Sequence, residues 1–379
     1  MESSTQVVVG PARPAYALAD PFAVSRPDRG SQVATDFSAA EQRAMRRALE
    51  LARTPCVPLG PNPRVGCVLL APDGSEVAEG YHRGAGSPHA EAAALTEAGE
   101  AARGTTAVVT LEPCNHTGRT GPCAQALIAA GVVRVVFAQP DPNPVAAGGA
   151  AALHAAGVDV AFGLFEHEAR ILNRAWTFAM EARRPFVTWK FATTLDGRSA
   201  AADGTSRWVS SKAARVDTHR LRGLCDVMLV GTNTVEVDNP ELTVRDEYDE
   251  PLPHQPLRAV MGVRRLDSDR RIFNTCAETI RLETHDPRAA LGELYLRDRQ
   301  HVFLEGGPTL AAAFLNADLV DEVVVYVAPM LLGAGTSAVA DLGIGTMAGA
   351  RHLIINDVTT IGTGADANVR ITMHPERNH

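Results

Sequence analysis

Long apolar runs are missing from this sequence of 379 residues. None approaches the ~18 residues that a helix needs to cross a bilayer, so we expect no membrane span. The N-terminus has no apolar segment of the kind found in secretory signal peptides, and we expect no export signal. Cysteine is scarce, with 6 residues in the chain, which excludes a disulfide scaffold. Because two of these cysteines belong to a ligand-like cluster, we expect a reducing, cytoplasmic setting.

Positive charge is not in excess: 44 acidic residues against 36 Lys and Arg give a formal net charge of −8. The sequence therefore has no electrostatic footprint for a polyanion, and nucleic acid is a poor default partner. The remaining composition, with 45% hydrophobic and 21% charged residues, is typical of a globular protein. The length predicts two domains, each large enough to bury its own core.

Strands and helices alternate along most of the chain, which predicts layered α/β domains with largely parallel sheets. Residues 1–35 are rich in Pro, Ser and Ala without periodicity, and we expect a disordered N-terminal extension there. The break at residues 183–185 (Arg-Arg-Pro) predicts a first domain over 36–182 and a second over 183–379.

Local signals predict several elements of the first domain. Ser38 stands three residues before Glu41 at the start of a helical pattern, which predicts a capping box. His89 is expected at the N-terminus of an alanine-rich helix that runs to about Ala102. Near the end of the domain, the apolar spacing predicts one continuous helix from Glu166 to Met180.

The stretch from His89 to Cys123 carries the strongest chemical signal in the chain. It opens with His-Ala-Glu and closes with two Pro-Cys pairs, a pattern of the zinc deaminases. His89, Cys114 and Cys123 are ligand types that suit zinc, and three protein ligands leave one position for a water molecule. Such an arrangement predicts a catalytic zinc site, with Glu91 close enough to handle protons without being a ligand.

His116 and the other cysteines fit the role of a zinc ligand less well. His116 could be a fourth ligand, which would make the site structural and the protein a zinc-stabilised scaffold. It stands only two residues from Cys114, so we predict instead that it lies beside the ligands or faces the substrate. Cys67 falls on an apolar strand and is predicted to be a core residue. The other cysteines have no ligand context: Cys56, Cys225 and Cys276.

The second half contains weaker signals. A Gly-Gly turn at a strand end, followed by Pro308 at the first position of a helix, offers backbone N–H groups suited to a dinucleotide's phosphates. There is no G-x-G-x-x-G motif, so a Rossmann fold is excluded. Lys190 stands within an apolar strand, where an unpaired charge is costly. It is expected either to pair with Asp196 or Glu305, or to face an active-site cleft.

Several motifs together resemble one known family. The first half contains PNPRVGCV, GYHRGAGSPHAE, VTLEPCNHTGRTGPC, ALIAAGVVRVV and QPDPNP, which look like the deaminase half of the bifunctional riboflavin-biosynthesis deaminase/reductase family. Eight residues separate Cys114 from Cys123, an interval that distinguishes this family from tRNA and cytosine deaminases. KFATTLDGR, GTNTVEVDNPELTVR and LEGGPTLAAAF then follow in the order of the family's reductase half. The resemblance covers the chain from about Asp36 to the C-terminus.

The resemblance implies an N-terminal cytidine-deaminase-like three-layer α/β/α domain and a C-terminal dihydrofolate-reductase-like α/β domain. It implies zinc-dependent hydrolytic deamination of 2,5-diamino-6-(5-phosphoribosylamino)pyrimidin-4-one, followed by NADPH reduction of the ribosyl group to ribityl. Glu91 would move a proton from water to the ring nitrogen and then to the departing ammonia. After Pro144 the chain reads VAAGGA, without the basic residue that the family uses there to help hold the substrate phosphate.

The resemblance also implies site residues, position by position. Zinc ligands would be His89, Cys114 and Cys123. Cofactor-contacting positions would be Ala192, Trp208, Thr234, Asp238, Gly307, Pro308, Thr309, Leu310, Ala311, Ala312 and Ala313. Substrate-contacting positions would be Ser206, Arg222, Leu242, Arg245 and Glu305. Taken singly, Trp208 could be a core residue, Arg222 a solvated helix residue and Asp238 a helix cap.

The expected partner is a small phosphoribosyl pyrimidine, without nucleic acid or membrane, and the expected assembly is a homo-oligomer, either a dimer or a tetramer. The alternative hypothesis is a zinc deaminase that acts on another pyrimidine or a nucleic-acid base, with an inactive reductase-like domain. The acidic net charge and the long interval between Cys114 and Cys123 argue against that alternative.

Overall fold

The protein is described from a computed structural model, which covers residues 37–54, 61–116 and 121–376. The extension predicted for residues 1–35 lies outside the described residues, as does Cys56. No helix in the described ranges is both long enough and apolar enough to span a bilayer.

The first half of the chain alternates helices and strands as its apolar pattern predicts. Its elements, in chain order, are α1 Ala39–Ala52, β1 Gly66–Leu70, β2 Glu76–Tyr81, α2 Ala90–Ala98, β3 Thr106–Leu111, α3 Cys123–Ala130, β4 Arg134–Gln139, α4 Gly149–Ala155, β5 Asp159–Phe162, α5 Glu166–Leu172 and α6 Arg174–Ala182.

The start of α1 confirms the predicted capping box. The Ser38 side chain accepts a hydrogen bond from the Glu41 N–H, and the Glu41 carboxylate accepts one from the Ser38 N–H. These bonds satisfy donors that a helix start otherwise leaves without partners.

The five strands form one sheet in the order β2-β1-β3-β4-β5. Strand alternation sends Cys67 and Val109 to one face, under α2 and α3, and Val68 and Val108 to the other, under α1. The result is three layers, as expected. The sheet is less parallel than predicted, because β1 runs antiparallel to both neighbours and only β3-β4-β5 are parallel.

The prediction of one helix from Glu166 to Met180 is wrong. The chain breaks at Asn173, between α5 and α6. The Asn173 side chain is buried and bonds both backbone groups of Arg64, accepting from its N–H at 2.8 Å and donating to its carbonyl at 2.9 Å. Asparagine side chains compete in this way with helical hydrogen bonds, and apolar spacing alone does not reveal it.

The second half of the chain builds a larger sheet. Its elements are β6 Phe186–Thr194, β7 Arg198–Ala200, α7 Lys212–Arg222, β8 Val227–Gly231, α8 Thr232–Asp238, β9 Leu257–Met261, β10 Thr279–Leu282, α9 Pro287–Leu296, β11 His301–Leu304, α10 Pro308–Asn316, β12 Glu322–Ala328, β13 Thr336–Ser337, β14 Leu353–Ile361 and β15 Asn368–Pro375.

Eight of these strands pair in the order β10-β9-β8-β11-β6-β12-β15-β14. The first six are parallel, and the C-terminal hairpin β14–β15 adds antiparallel strands at one edge. Strands β8, β11 and β12 are buried along most of their length, whereas β14, in a hairpin that was not predicted, is largely exposed.

Polar contacts join the two halves. The Arg174 guanidinium on α6 pairs with Glu322 at the start of β12 at 2.8 Å. The Gln300 side chain donates to the Pro61 carbonyl at 2.7 Å. Pro61 lines the first-half cavity described below, so the second half supports one wall of that cavity.

Candidate active sites

The first-half site lies where β3 ends and α2 and α3 begin. His89 is the N-cap residue of α2, Cys114 follows β3, and Cys123 is the first residue of α3. The ligand atoms of these three residues lie within 4.8 Å of one another. His89 Nδ1 is 3.6 Å from Cys114 Sγ and 3.3 Å from Cys123 Sγ.

These separations fit a single zinc ion. Tetrahedral zinc with Zn–S near ~2.3 Å and Zn–N near ~2.0 Å requires ligand atoms roughly 3.5 to 3.8 Å apart. His116 is not part of this three-residue group. Its Nδ1 is buried without a hydrogen-bond partner among the described residues, and its side chain lines the adjoining cavity.

The thiols of Cys114 and Cys123 share a hydrogen bond that shifts their pKa values in opposite directions. A hydrogen bond from Cys123 holds the pKa of the Cys114 thiol well below its usual range, and His89 acts in the same direction. The same hydrogen bond, together with burial, raises the pKa of Cys123. Thiolates are the form that binds zinc, so the pair already favours one ligand in its binding state.

Glu91 lies in the first turn of α2 with only 4% of its surface exposed. Burial raises the pKa of its carboxyl group, the direction expected for a group that exchanges protons near neutral pH. Glu91 is not among the three clustered residues, and its part in proton transfer stays a prediction.

A cavity of about 420 Å³ opens onto the group of His89, Cys114 and Cys123, which is called the metal cluster below. Besides the cluster, its walls carry polar groups that sequence reasoning did not assign to the site: Asn62, His82, Glu112, Asp141 and Asn143. Trp176 and Met180 supply apolar wall. The described lining contains no Lys or Arg, in keeping with the absence of a basic residue after Pro144.

Two of these polar residues form a defined pair. His82 Nδ1 donates to the Pro88 carbonyl at 3.0 Å, which leaves Nε2 to accept from the Asn62 amide at 2.9 Å. Burial lowers the pKa of His82, favouring the neutral ring that this arrangement needs. The missed residues stand in PNPRV, GYHRG, VTLEPC and QPDPNP, segments that carried the family resemblance without roles for these residues.

Asp141 and Asn143 belong to the loop that follows β4. Burial raises the pKa of Asp141 to about 6. The Asp141 carboxylate accepts the Asn143 N–H at 2.8 Å, and the Asn143 side chain accepts the Val145 N–H at 3.1 Å. These turns hold both side chains beside the metal cluster.

The second-half site centres on a buried ion pair. Arg222, the last residue of α7, binds Glu305 with two hydrogen bonds of 2.6 and 2.8 Å and donates to the Thr243 carbonyl at 3.0 Å. Burial acts to raise the pKa of Glu305, but Arg222 and Lys190 outweigh it and lower the value to about 2. Arg222 is therefore not the solvated helix residue that it could have been.

Lys190 lies on β6 close to this pair. Its pKa is lowered by burial and by Arg222, while Glu305 acts in the opposite direction. Its Nζ lies 5.5 Å from the centre of the Tyr326 ring. Asp196 is not its partner, since that carboxylate accepts from the Thr194 hydroxyl and the Gly333 N–H, each at 2.6 Å.

Arg245 and Leu242 lie on the same side of the sheet as Arg222. Arg245 Nε donates to the Thr243 hydroxyl at 3.0 Å, and its guanidinium pairs with Glu241. The Arg245 N–H donates to His219 at 3.2 Å. Leu242 is buried, with a positive φ of 52°. The structure thus groups Arg222, Arg245, Leu242 and Glu305 around Thr243.

The predicted cofactor positions form a second group. The run from Gly307 to Ala313 is the N-cap and first turns of α10. A Cβ on Gly306 would lie 2.5 Å from Leu310, and one on Gly307 would lie 4.0 Å from the Thr234 hydroxyl. Gly306 therefore permits the close approach of Leu310, and Gly307 leaves space beside the N-terminus of α10, which suits the phosphates of a dinucleotide such as NADPH.

The segment that carries Trp208 contacts the end of α8 at Asp238 through the neighbouring Arg207. Arg207 donates to the Asp238 carbonyl at 2.7 Å, which ties the Trp208 segment to the end of α8. Trp208 is 63% exposed and lies under the Arg215 guanidinium, so it is not a core residue. Ala192 on β6 and Ser206 share no hydrogen bond with either group in the described ranges.

The environment of the other cysteines follows from burial. Cys67 is fully buried on β1 within the core, as predicted. Cys225 is buried and its thiol bonds the Leu221 carbonyl, whereas Cys276 is exposed. All described cysteines are free of disulfides.

Comparisons with known proteins address both halves. The family model described as "Cytidine and deoxycytidylate deaminase zinc-binding region" matches residues 38–139, and "RibD C-terminal domain" matches residues 185–366. "Riboflavin biosynthesis protein RibD" from Mycobacterium tuberculosis is 47% identical over 303 residues, covering 80% of this chain and 89% of the relative. The protein of the same name from Escherichia coli is 40% identical over 352 residues, covering 84% and 96%.

Solved structures agree. Acinetobacter baumannii RibD superposes with a TM-score of 0.81 at 38% identity, over 89% of this chain and 99% of that one. A Thermotoga maritima diaminohydroxyphosphoribosylaminopyrimidine deaminase/5-amino-6-(5-phosphoribosylamino)uracil reductase gives a TM-score of 0.78 at 31% identity, with the same coverage.

Proposed function

The chain belongs to the RibD family of riboflavin-biosynthesis enzymes, and we propose that its two activities are carried by the two residue groups described above. It is a bifunctional enzyme with a zinc-dependent deaminase and an NADPH-dependent reductase. Its fold combines a deaminase-like N-terminal domain with a dihydrofolate-reductase-like C-terminal domain. We assign the deaminase to residues 36–182 and the reductase to residues 183–379, because each sheet lies wholly within one of these ranges.

The proposed substrates correspond to the two activities for which the Thermotoga relative is named. The first is 2,5-diamino-6-(5-phosphoribosylamino)pyrimidin-4-one, which loses its 2-amino group by hydrolysis. The second is the resulting 5-amino-6-(5-phosphoribosylamino)uracil, whose ribosyl group is reduced to ribityl. The cavity beside the metal cluster, at about 420 Å³, falls within the usual range for small-molecule sites.

His89, Cys114 and Cys123 are proposed to hold the zinc ion. A zinc ion with three protein ligands supplies an acidified water, whose pKa falls to about 7. Glu91 would take one proton from the attacking water and give it to the ring nitrogen. It would then move the remaining hydroxyl proton to the amino group, which leaves as ammonia as the carbonyl forms. Its burial between α2 and the cluster keeps the carboxyl group out of bulk water, which protects the transferred proton from exchange.

Asn62, Asp141 and Asn143 are proposed to orient the pyrimidine. Each lines the cavity beside the cluster, and amide and carboxyl groups pair with the donors and acceptors along the edge of a pyrimidine. His82 fixes the Asn62 amide by accepting its N–H. Trp176 closes an apolar wall that excludes water from the ring face.

In the reductase half, NADPH is proposed to bind at the Gly307–Ala313 turn of α10 and to supply the hydride that reduces the ribosyl carbon. Arg222 uses three of its five N–H groups on Glu305 and Thr243. The other two remain for the substrate, and Arg245 adds a second cation for the phosphate. Lys190, whose pKa is lowered by burial, is proposed to give a proton to the ribose ring oxygen as the ring opens.

The observation that carries the deaminase assignment is the three-ligand cluster beside a buried glutamate. Glu91→Gln tests it, because an amide keeps the shape but cannot take up a proton. We expect full zinc content by atomic absorption, and ammonia release reduced by about 10²- to 10⁴-fold.

The reductase provides the control within the same molecule. Glu91→Gln protein should oxidise NADPH at the normal rate when it is given the deaminated uracil. Ammonia release at the wild-type rate would contradict the assignment of Glu91.

A homo-oligomer, as a dimer or tetramer, is the proposed assembly. The edge strand β14 supports it, because Ile354, Ile355 and Val358 are 44%, 51% and 57% exposed on a strand that has a free edge.

The cytoplasm is the proposed compartment, since a reducing environment keeps zinc-binding thiols available. The alternative of a nucleic-acid deaminase gains no support, because the described cavity lining carries Glu91, Glu112 and Asp141 without a Lys or Arg.

A further inference from the structure

Glu112 occupies an unusual position in the wall of the deaminase cavity. It lies between β3 and Cys114, with 9% of its surface exposed. Its carboxylate accepts three backbone hydrogen bonds: Oε2 from the Asp141 N–H at 3.2 Å, and Oε1 from the Gly148 N–H at 3.2 Å and the Ala150 N–H at 3.0 Å. Both carboxylate oxygens of Glu112 therefore act as acceptors, and together they bind all three N–H donors.

The three donors lie at the two ends of one loop, residues 141–150. β4 ends at Gln139 and α4 begins at Gly149, so this segment also includes the first two residues of α4. Between these ends it carries Asn143, which faces the cavity with Asp141. Since the loop starts just after β4 and ends in α4, the single side chain of Glu112, directly after β3, binds both ends.

The same loop packs against the segment that carries a metal ligand. The Asn115 N–H donates to the Ala146 carbonyl at 3.0 Å. A Cβ on Gly149 would lie 1.7 Å from the Pro113 carbonyl oxygen, so the loop touches the backbone directly before Cys114. The loop therefore shares one rigid contact surface with residues 112–115.

We propose that Glu112 is a positioning residue of the deaminase, which holds the 141–150 loop so that Asp141 and Asn143 meet the pyrimidine at the metal cluster. This inference rests on the proposed function of the cavity. Glu112 does not touch the reacting atoms. It acts by fixing where the loop's polar groups lie relative to Cys114, and charge-assisted bonds to three N–H groups are well suited to that task.

A purely structural role is the competing explanation, because a carboxylate near the first turn of α4 also stabilises the helix start. The two explanations differ in their kinetic consequences. Loss of a helix cap would lower the amount of folded enzyme and would affect zinc content and both activities. Loss of a positioning contact would weaken substrate binding in the deaminase alone.

The test is Glu112→Gln, with Glu97→Gln on the exposed face of α2 as the matched control. The glutamine side chain has the same size, but its NH₂ group is a donor. It therefore cannot accept a hydrogen bond from the backbone N–H group that it faces. We expect unchanged zinc content, unchanged NADPH oxidation with the deaminated uracil, and a loss of about 10- to 100-fold in kcat/KM for ammonia release. Most of this loss should appear as a higher KM. The control should match the wild type.

Parallel measurements on Glu91→Gln separate this inference from the proposed function. That variant should lose kcat with little change in KM, the opposite pattern. Unchanged ammonia kinetics in Glu112→Gln, beside a large loss in Glu91→Gln, would overturn the positioning role and leave the proposed function standing. Absence of ammonia release from the wild-type enzyme would overturn both. Equal loss of both activities, or loss of zinc, in Glu112→Gln would overturn the positioning role and assign Glu112 a structural role only.

A second variant covers the case in which Glu112→Gln does not fold. Gly148 has a positive φ of 98°, and a Cβ there would lie 4.0 Å from the nearest atom, Nδ2 of Asn115. Gly148→Ala therefore fits sterically but strains the backbone that donates to Glu112. It should raise the deaminase KM while leaving NADPH oxidation unchanged. A normal deaminase KM in folded Gly148→Ala protein would overturn the proposal.

Discussion

Burial separates residues that look alike in the sequence. Arg220 and Arg222 are two positions apart on α7, yet the Arg220 side chain is 54% exposed and that of Arg222 only 15%. Arg220 makes one bond to Asp217, whereas Arg222 is held by Glu305 and Thr243. A cation fixed in this manner presents its remaining N–H groups in one direction, which is what phosphate recognition requires.

Arg222→Lys tests this interpretation of the reductase site. Lysine keeps the charge that Glu305 needs but cannot form the two-pronged bond. We expect kcat/KM for NADPH oxidation to fall about 10²-fold, with ammonia release unchanged. Arg220→Lys is the matched control and should retain both activities. Parallel losses of both activities in Arg222→Lys would argue against two separate centres.

Among the helices and strands, the apolar pattern predicted the general alternation. It did not predict the break between α5 and α6 or the strands at the edge of the larger sheet. The capping box of α1 and the start of α2 at His89 depend on neighbouring residues, and both were predicted correctly. The break at Asn173 depends on Arg64, which lies 109 positions away. The β14–β15 hairpin was missed, because exposed strands lack the buried apolar run by which the inner strands were recognised.

The β14 edge leads to a prediction about assembly. The double variant Ile355→Lys/Val358→Lys should abolish pairing of two copies of the chain through this strand, since charged edge strands resist association. In size-exclusion chromatography with light scattering, we expect the wild-type protein to elute as a dimer or tetramer and the double variant as a monomer. Val263→Lys, at a position 59% exposed elsewhere, should not change the mass. A monomeric wild-type protein at micromolar concentration would refute the proposed assembly.

At the scale of the whole molecule, both candidate sites lie beyond the carboxyl ends of parallel strands. Glu112 and Cys114 follow β3, Asp141 follows β4, and Glu305 follows β11. Ligand sites in α/β sheets generally lie at such edges, where loops from adjacent strands meet. One architectural rule therefore accounts for two unrelated chemistries in one chain.

This geometry also explains how much of the function could be predicted from sequence. His89, Glu91, Cys114 and Cys123 fall within one short stretch with a distinctive spacing, so local pattern was enough to name them. Family, fold class, both activities and both cofactors followed from the motifs and are confirmed. The contacts of Glu112 with the 141–150 loop come from backbone groups brought together by β3–β4 pairing, and backbone donors leave no trace in residue identity. The individual roles of residues in both halves stay predictions.

We propose that this one chain performs both reactions, with deamination first. This proposal is tested most directly by incubating the purified protein with the diaminopyrimidinone and NADPH, following ammonia and NADPH oxidation separately. We predict that ammonia appears first and that the amount of NADPH oxidised finally equals the amount of ammonia released. Ammonia release should continue when NADPH is omitted. NADPH oxidation ahead of ammonia, or ammonia release with no NADPH oxidation at all, would contradict the account.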